Sequence, residues 1–324
     1  MSSPGWQPTL QAAMAMPRLS PSGELDEAEV CRIAEVLERQ GFTGRQIVLA
    51  APDESLLTGT LSLPPRGSGA PVDQIARMEL SRMHKCDPQT FELSFWDLPS
   101  ADGGGRAGGT AVMAVACPHA QTTSLLDLFE SVGLDVVGMD VHWLALARAC
   151  QAMWESSDAP TDQGGQLNAI LDLGWRSARL VVLQGSVVTF ERILTEGGLS
   201  RLAGELQSKF NLDELGLDCV LRETAVMAGS AETPSQAGEA DEKADRLAQA
   251  CRRQDRSLDD VRRMMMSHAE GVISELQVSL DYAVQSARGS GVSRLLLTGG
   301  GALPGLDALI AERLKLSAQA VTPT

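Results

Sequence analysis

Leu295-Leu296-Leu297-Thr298-Gly299-Gly300-Gly301-Ala302-Leu303-Pro304-Gly305 carries an apolar strand straight into three glycines and then into the start of a helix. Such a run needs glycine for one of two reasons: the connection packs too tightly for side chains, or its backbone lies against a flat ring. A second element bears on the choice. Leu167 to Leu173 reads as a buried strand, and Asp172-Leu173-Gly174-Trp175-Arg176-Ser177 ends it and opens a hairpin. The hairpin's strands, Arg179 to Leu183 and Val187 to Ile193, flank Gln184-Gly185-Ser186. Gly174 permits a tight approach, nearby backbone N–H groups can face an anion, and Asp172 can hold a metal-bound water or orient an attacking one. The alternative is a plain tight turn in which Asp172 bonds its own backbone. The order strand, hairpin, helix, insertion, long helix, strand, glycine turn, helix favours the ligand-facing reading of both elements.

Between the two turns, Leu199 to Phe210 reads as a helix, a further helix runs through Arg222, and residues 230–257 form a polar, acidic insertion. From Asp259 a stripe of Val261, Met265, His268, Val272, Leu276, Leu280, Ala283 and Ala287 marks a long helix leading to the glycine turn. Glu275 and Asp281 lie on that helix, where a carboxylate can meet ribose hydroxyls or simply be solvated. Met264 to Met266 offer a soft partner surface or core packing, and the stripe favours the core. Leu306 to Leu314 is the closing helix.

The first half is an α+β unit. A helix over Leu25 to Gln40 stops at Gly41, Ile47 to Ala51 and Leu56 to Leu63 read as two strands of one small sheet, and Val72 to His84 as a helix. Strands at Phe91 to Leu98, Ala111 to Ala116 and Val136 to Val141 alternate with helices at Thr122 to Val132 and Leu144 to Met153. Glycines from 103 to 109 make a hairpin end, and Ser156 to Gly165 is the interdomain linker. The domains are therefore 1–155, holding a small subdomain at about 43–117, and 166–324.

A formal charge of -15 leaves no Lys/Arg cluster free to neutralise phosphates along a nucleic acid. The six cysteines show no Cys-x-x-Cys, and the N-terminus has no apolar signal segment, which points to a reducing, cytoplasmic compartment. No stretch of about 18 apolar residues occurs, so a membrane link is expected only through a partner. His84, His119, His142 and His268 lack a nucleophile motif beside them and read as surface or helix histidines.

Leu171-Asp172-Leu173-Gly174 with its hairpin resembles the second phosphate motif, and Leu295 to Gly305 the adenosine motif, of the actin-like, Hsp70 and sugar-kinase superfamily. Within it the chain resembles the PilM family of type IV pilus assembly proteins. The strand at Ile47, the Pro-bounded strand ending at Leu63-Pro64, the helix at Val72 to His84 and Gly133-Leu134-Asp135-Val136-Val137-Gly138-Met139-Asp140 carry that likeness. The resemblance implies a two-lobed α/β fold of ribonuclease H-like, actin-like type with a small α+β subdomain of the PilM/FtsA kind. It also implies ATP with Mg at Asp172, Gly174, Trp175, Arg176, Ser177, Gly299, Gly300, Gly301 and Glu275, the metal held indirectly by Asp172. Arg222 matches an adenine-side position loosely.

The partner implied is the cytoplasmic tail of an inner-membrane, PilN-like pilus protein, with at most slow ATP hydrolysis and a location on the inner membrane through that partner. An actin-like kinase, a type II secretion scaffold and a cell-division scaffold are the alternatives. The chain opens at Met1-Ser2-Ser3-Pro4-Gly5-Trp6 without the family's first strand, Asp-x-Gly turn and hairpin, and Leu316 to Thr324 is short of the family's final strand and helix. Weakened ATP binding is expected from the first departure, since one turn cannot neutralise a triphosphate.

Overall fold

The computed structural model describes residues 12–14, 16, 25–99, 109–155, 166–223, 258–287 and 291–321. The linker at 156–165, the insertion at 230–257 and most of the glycine run at 103–109 lie outside them. The chain forms two compact units, residues 1–96 with 114–142, and residues 97–113 with 143–324.

In the first unit, helix α1 (Glu27–Arg39) starts at Asp26, whose carboxylate accepts the Glu29 N–H at 2.8 Å and so satisfies one orphan donor of the first turn. Strand β1 (Gln46–Ala50) follows, then β2 (Leu57–Leu63), helix α2 (Val72–His84), β3 (Phe91–Asp97), β4 (Thr110–Pro118), α3 (His119–Ser131) and β5 (Asp135–Asp140). The two early strands do not share a sheet, contrary to the sequence reading. β1 pairs in parallel with β5, whereas β2 joins a three-stranded sheet of order β2-β4-β3. Pro52 and the short helical turn at Asp53–Ser55 part them. The middle strand β4 is buried without a break from Val112 to Ala116, which fits a strand covered on both faces.

The second unit takes helix α4 (His142–Glu155) from Trp143 onward, so the units divide ahead of this helix. Its sheet has the order β10-β9-β6-β7-β8. Strands β6 (Leu167–Leu173), β7 (Ala178–Gln184) and β8 (Val187–Leu194) form an antiparallel meander. Strand β9 (Val292–Thr298) lies parallel to β6 on its other side, and β10 (Ser317–Ala320) parallel to β9. Leu316 to Thr324 reads from sequence as short of a final strand and helix; Ser317–Ala320 does form a strand.

Helices α5 (Leu199–Phe210), α6 (Glu214–Glu223), α7 (Leu258–Ala287) and α8 (Leu306–Leu314) complete the unit. One sheet face, built of Leu167, Leu171, Leu173, Leu180, Val182 and Leu297, packs against them. The α7 stripe from Val261 to Ala283 is buried there, with Met265 inside and Met264 and Met266 at its margin. On the opposite face Ile170, Val181, Leu183 and Leu296 are also buried. Helix α4 buries Trp143, Ala147, Cys150 and Trp154, which recur at helical spacing. Cys150 feels the charge of Asp172, which projects from this face. Burial on both faces explains why β6 and β7 are nearly continuous apolar runs. No helix among the described residues is long and apolar enough to cross a membrane.

Candidate functional site

Asp172 stands at the C-terminal end of β6, the middle strand of the five, where ligands of open α/β sheets are bound. It lies across from Arg179 on β7 and Thr298 on β9. The Thr298 hydroxyl donates to Asp172 Oδ1 at 3.0 Å. Arg179 is nearly buried and pairs with Glu191 of β8 at 2.5 Å, which balances its charge within the sheet.

Past Asp172 the chain turns at Gly174 to Ser177, closed by the Gly174 N–H donating to the Ser177 carbonyl at 3.1 Å. The carbonyls of Gly174 and Trp175 accept from Leu199 N at 3.2 Å and Ser200 N at 2.7 Å. Helix α5 has no side-chain cap. The two turn carbonyls take its first N–H groups, which would otherwise be orphaned. Gly197 and Gly198 let the segments approach: a Cβ on Gly197 would stand 2.3 Å from Ala178 Cβ, and one on Gly198 2.0 Å from the Arg176 carbonyl oxygen.

The third segment is Gly299 to Gly301. Gly301 N donates to the Leu173 carbonyl at 2.9 Å. Gly299 has φ +87°, and a Cβ there would lie 2.4 Å from that carbonyl and 2.8 Å from Asp172 Oδ1. Gly300 is different, since a Cβ would meet nothing within 4 Å. Three glycine-bearing segments thus converge on the end of one strand. The backbone N–H groups of Trp175, Ser177 and Gly300 take no hydrogen-bond partner among the described residues, and the Trp175 side chain is 53% exposed at the tip of the turn. Backbone donors without partners at the end of a strand suit an anion.

Asp172, Gly174, Trp175, Arg176, Ser177, Gly299, Gly300 and Gly301 therefore come together. Glu275, on α7, reaches another turn, where its two carboxylate oxygens accept the N–H groups of Thr195 at 3.2 Å and Glu196 at 2.9 Å. Arg222 pairs with Asp218 on the exposed face of α6 at 2.7 Å, and Asp281 is exposed on α7. Gly197 and Gly198 escaped the sequence reading. Their signal was a Gly-Gly pair at the start of an apolar helix, which has no meaning until its neighbour, Gly174 to Ser177, is known.

Cys150 lies beside Asp172, and burial, with the negative charge of Asp172 second, pushes its thiol above the usual range. His268 is buried on α7, and its Nδ1 has no hydrogen-bond partner among the described residues. Burial holds its pKa below the ordinary value and Arg201 adds to this, while Glu196 and Glu205 oppose it. His84 bonds the Thr58 carbonyl at 3.0 Å, and His119 lies 3.7 Å from Glu92.

Among the described residues no three His, Cys, Asp or Glu side chains group to hold a metal. This donor set suits magnesium only as the ion of a nucleotide, carried by phosphate oxygens and waters with Asp172 outside them. The open backbone at Gly300 and the N–H groups without partners fit the nucleotide itself.

No curated protein matches the sequence. Among solved structures, the PilM-PilN type IV pilus biogenesis complex is similar at 21% identity and TM-score 0.64, covering 94% of this chain and 80% of that one. MreB 5 of Spiroplasma citri bound to AMPPNP is similar at 11% identity and TM-score 0.41, over 62% of this chain and 60% of that one. The sequence model of the family described as type IV pilus assembly protein PilM matches residues 26–216, more than half of the chain. With a family match over more than half of its length, the chain belongs to the PilM family of type IV pilus assembly proteins.

Proposed function

We propose that the protein is a nucleotide-responsive adaptor of type IV pilus assembly that binds ATP at the end of β6 and holds the cytoplasmic tail of a PilN-like membrane protein. The observation that carries the nucleotide half is the convergence of Gly174 to Ser177, Gly197 to Gly198 and Gly299 to Gly301 around Asp172. On this reading the N–H groups of Trp175 and Ser177 face phosphate oxygens. The bare backbone at Gly300 lies against the adenosine, and Asp172 orders the water shell of the magnesium ion. Bound ATP with its ion supplies charge that the polar turn can grip; the protein supplies position. Asp172 is the residue that would orient a water in any slow hydrolysis.

The tail-binding half rests on family membership and on the fold shared with the PilM-PilN complex. The small sheet β2-β4-β3 with α2 is the element proposed to receive the tail, and the partner would bring the protein to the inner membrane.

Titration calorimetry with MgATP, followed by co-elution with the tail peptide, tests both halves. Wild type should give heat on ATP addition, and Gly300→Ala should weaken it with an unchanged melting temperature, because a Cβ at Gly300 meets no protein atom within 4 Å. No heat and no thermal shift at saturating ATP would remove the nucleotide half. Failure of the tail to co-elute in either nucleotide state would remove the other.

A further inference from the structure

We infer that Glu275 is a positioning residue, a latch by which the long helix α7 holds the phosphate-facing turn in shape without touching the ligand. The inference rests on the nucleotide reading of that turn. Glu275 is part of α7, yet both its oxygens are engaged about 80 positions away in sequence, on the N–H groups of Thr195 and Glu196. Those residues begin the short helical turn Thr195–Gly197, which runs directly into Gly198 and α5. A carboxylate accepting two N–H groups is a charge-assisted pair, stronger than a neutral bond.

From there the contacts continue without a gap to the site. Gly197 rests on Ala178 and Gly198 on the Arg176 carbonyl, each too close for a Cβ. Leu199 N and Ser200 N hold the carbonyls of Gly174 and Trp175. Within the turn at 174–177 the Gly174 N–H donates to the Ser177 carbonyl. Further anchors come from 197–200, through Leu199 N and Ser200 N. Releasing Thr195 and Glu196 from α7 therefore frees the platform on which the turn sits. The Glu196 side chain adds a second strut by pairing with Arg201 of α5 at 2.8 Å.

The test is hydrogen exchange by mass spectrometry on the full chain, with wild type, Glu275→Gln, Glu275→Ala, and Val272→Ala as a control that weakens the same helix from its core side. Glu275→Ala should raise exchange at least fivefold in peptides covering 172–178 as well as 194–200. Glu275→Gln, which keeps one acceptor, should fall between it and wild type. Val272→Ala should raise exchange broadly without singling out 172–178. If Glu275→Ala opens 194–200 and leaves 172–178 at the wild-type rate, the latch does not reach the turn and the inference fails. The same samples with MgATP keep the two readings apart. An opened turn in Glu275→Ala, together with a wild type that ATP never protects, upholds the latch and refutes the nucleotide. Protection of wild type with an unaltered turn in Glu275→Ala does the reverse.

Discussion

Replacing Gly198 with alanine adds one methyl group at the point where α5 meets the 174–177 turn. The residue has φ −71° and ψ 126°, which alanine adopts freely, so the whole effect is steric. The new Cβ would lie 2.0 Å from the Arg176 carbonyl oxygen, 2.5 Å from its carbon and 3.0 Å from Ser177 N. All three atoms belong to the backbone, so no rotamer change relieves the clash. The segments must part by roughly an ångström, and over-packing of this kind costs about 1–3 kcal/mol. The separation also stretches the bonds from Leu199 N and Ser200 N, each worth about 0.5–1.5 kcal/mol. The loss should be about 2–4 kcal/mol, and in a unit of this size a melting temperature lower by roughly 5–15 °C. Gly204 supplies the control within the same helix, because it is exposed and a Cβ there meets nothing within 4 Å. Gly204→Ala should stabilise by about 0.5–1 kcal/mol through helix propensity. Circular dichroism melts of the two variants measure both effects. A Gly198→Ala protein melting within a degree of wild type would refute the close seating of α5 on the turn.

Gly299→Ala should destabilise by about 2–4 kcal/mol through its left-handed backbone and the clash with the Leu173 carbonyl, whereas Gly300→Ala should leave urea denaturation unchanged. His268 binds its proton less readily in the folded chain than when unfolded. The unfolded state therefore holds more protons as pH falls below about 6.5, and stability should decline from there down through the folded pKa. His268→Met should flatten that decline, as read from urea midpoints between pH 7.5 and 5. At pH 8 iodoacetamide should label exposed Cys31 well before buried Cys150, whose thiol burial and Asp172 hold protonated; mass spectrometry of digests timed over an hour reads the order.

The residues legible from sequence are those whose role is declared locally. Asp172-Leu173-Gly174 and Gly299-Gly300-Gly301 each end an apolar strand, so the turn and its glycine requirement sit side by side in the chain. Gly197 and Gly198 carry the same requirement, but the atoms that impose it belong to Arg176 and Ala178. Glu275 shows the same limit. Its place on the polar side of a helical stripe was readable, while its partners, the amides of Thr195 and Glu196, are chosen by packing. β1 and β2 were assigned to one sheet because they are neighbours in sequence and alike in pattern. The choice of β5 as the partner of β1 is made by a distant segment. Strand β10 is short and mostly exposed, and its Ser317-Ala318-Gln319-Ala320 has no β-branched or aromatic residue to announce it.

The parallel pairing of β6 with β9 sets a timetable for synthesis. β6, β7 and β8 can close as a meander soon after residue 194 leaves the ribosome, but Asn168 meets Arg294 only after the chain has grown past the whole of α7. At about 5–20 residues per second that wait is on the order of ten seconds. Throughout it, Leu167 to Leu173 presents a bare, apolar edge, the kind of template on which unrelated strands add. Yield in cells should thus be governed by how well that nascent edge is shielded, by chaperones or by slow, cool expression, more than by the stability of the finished sheet.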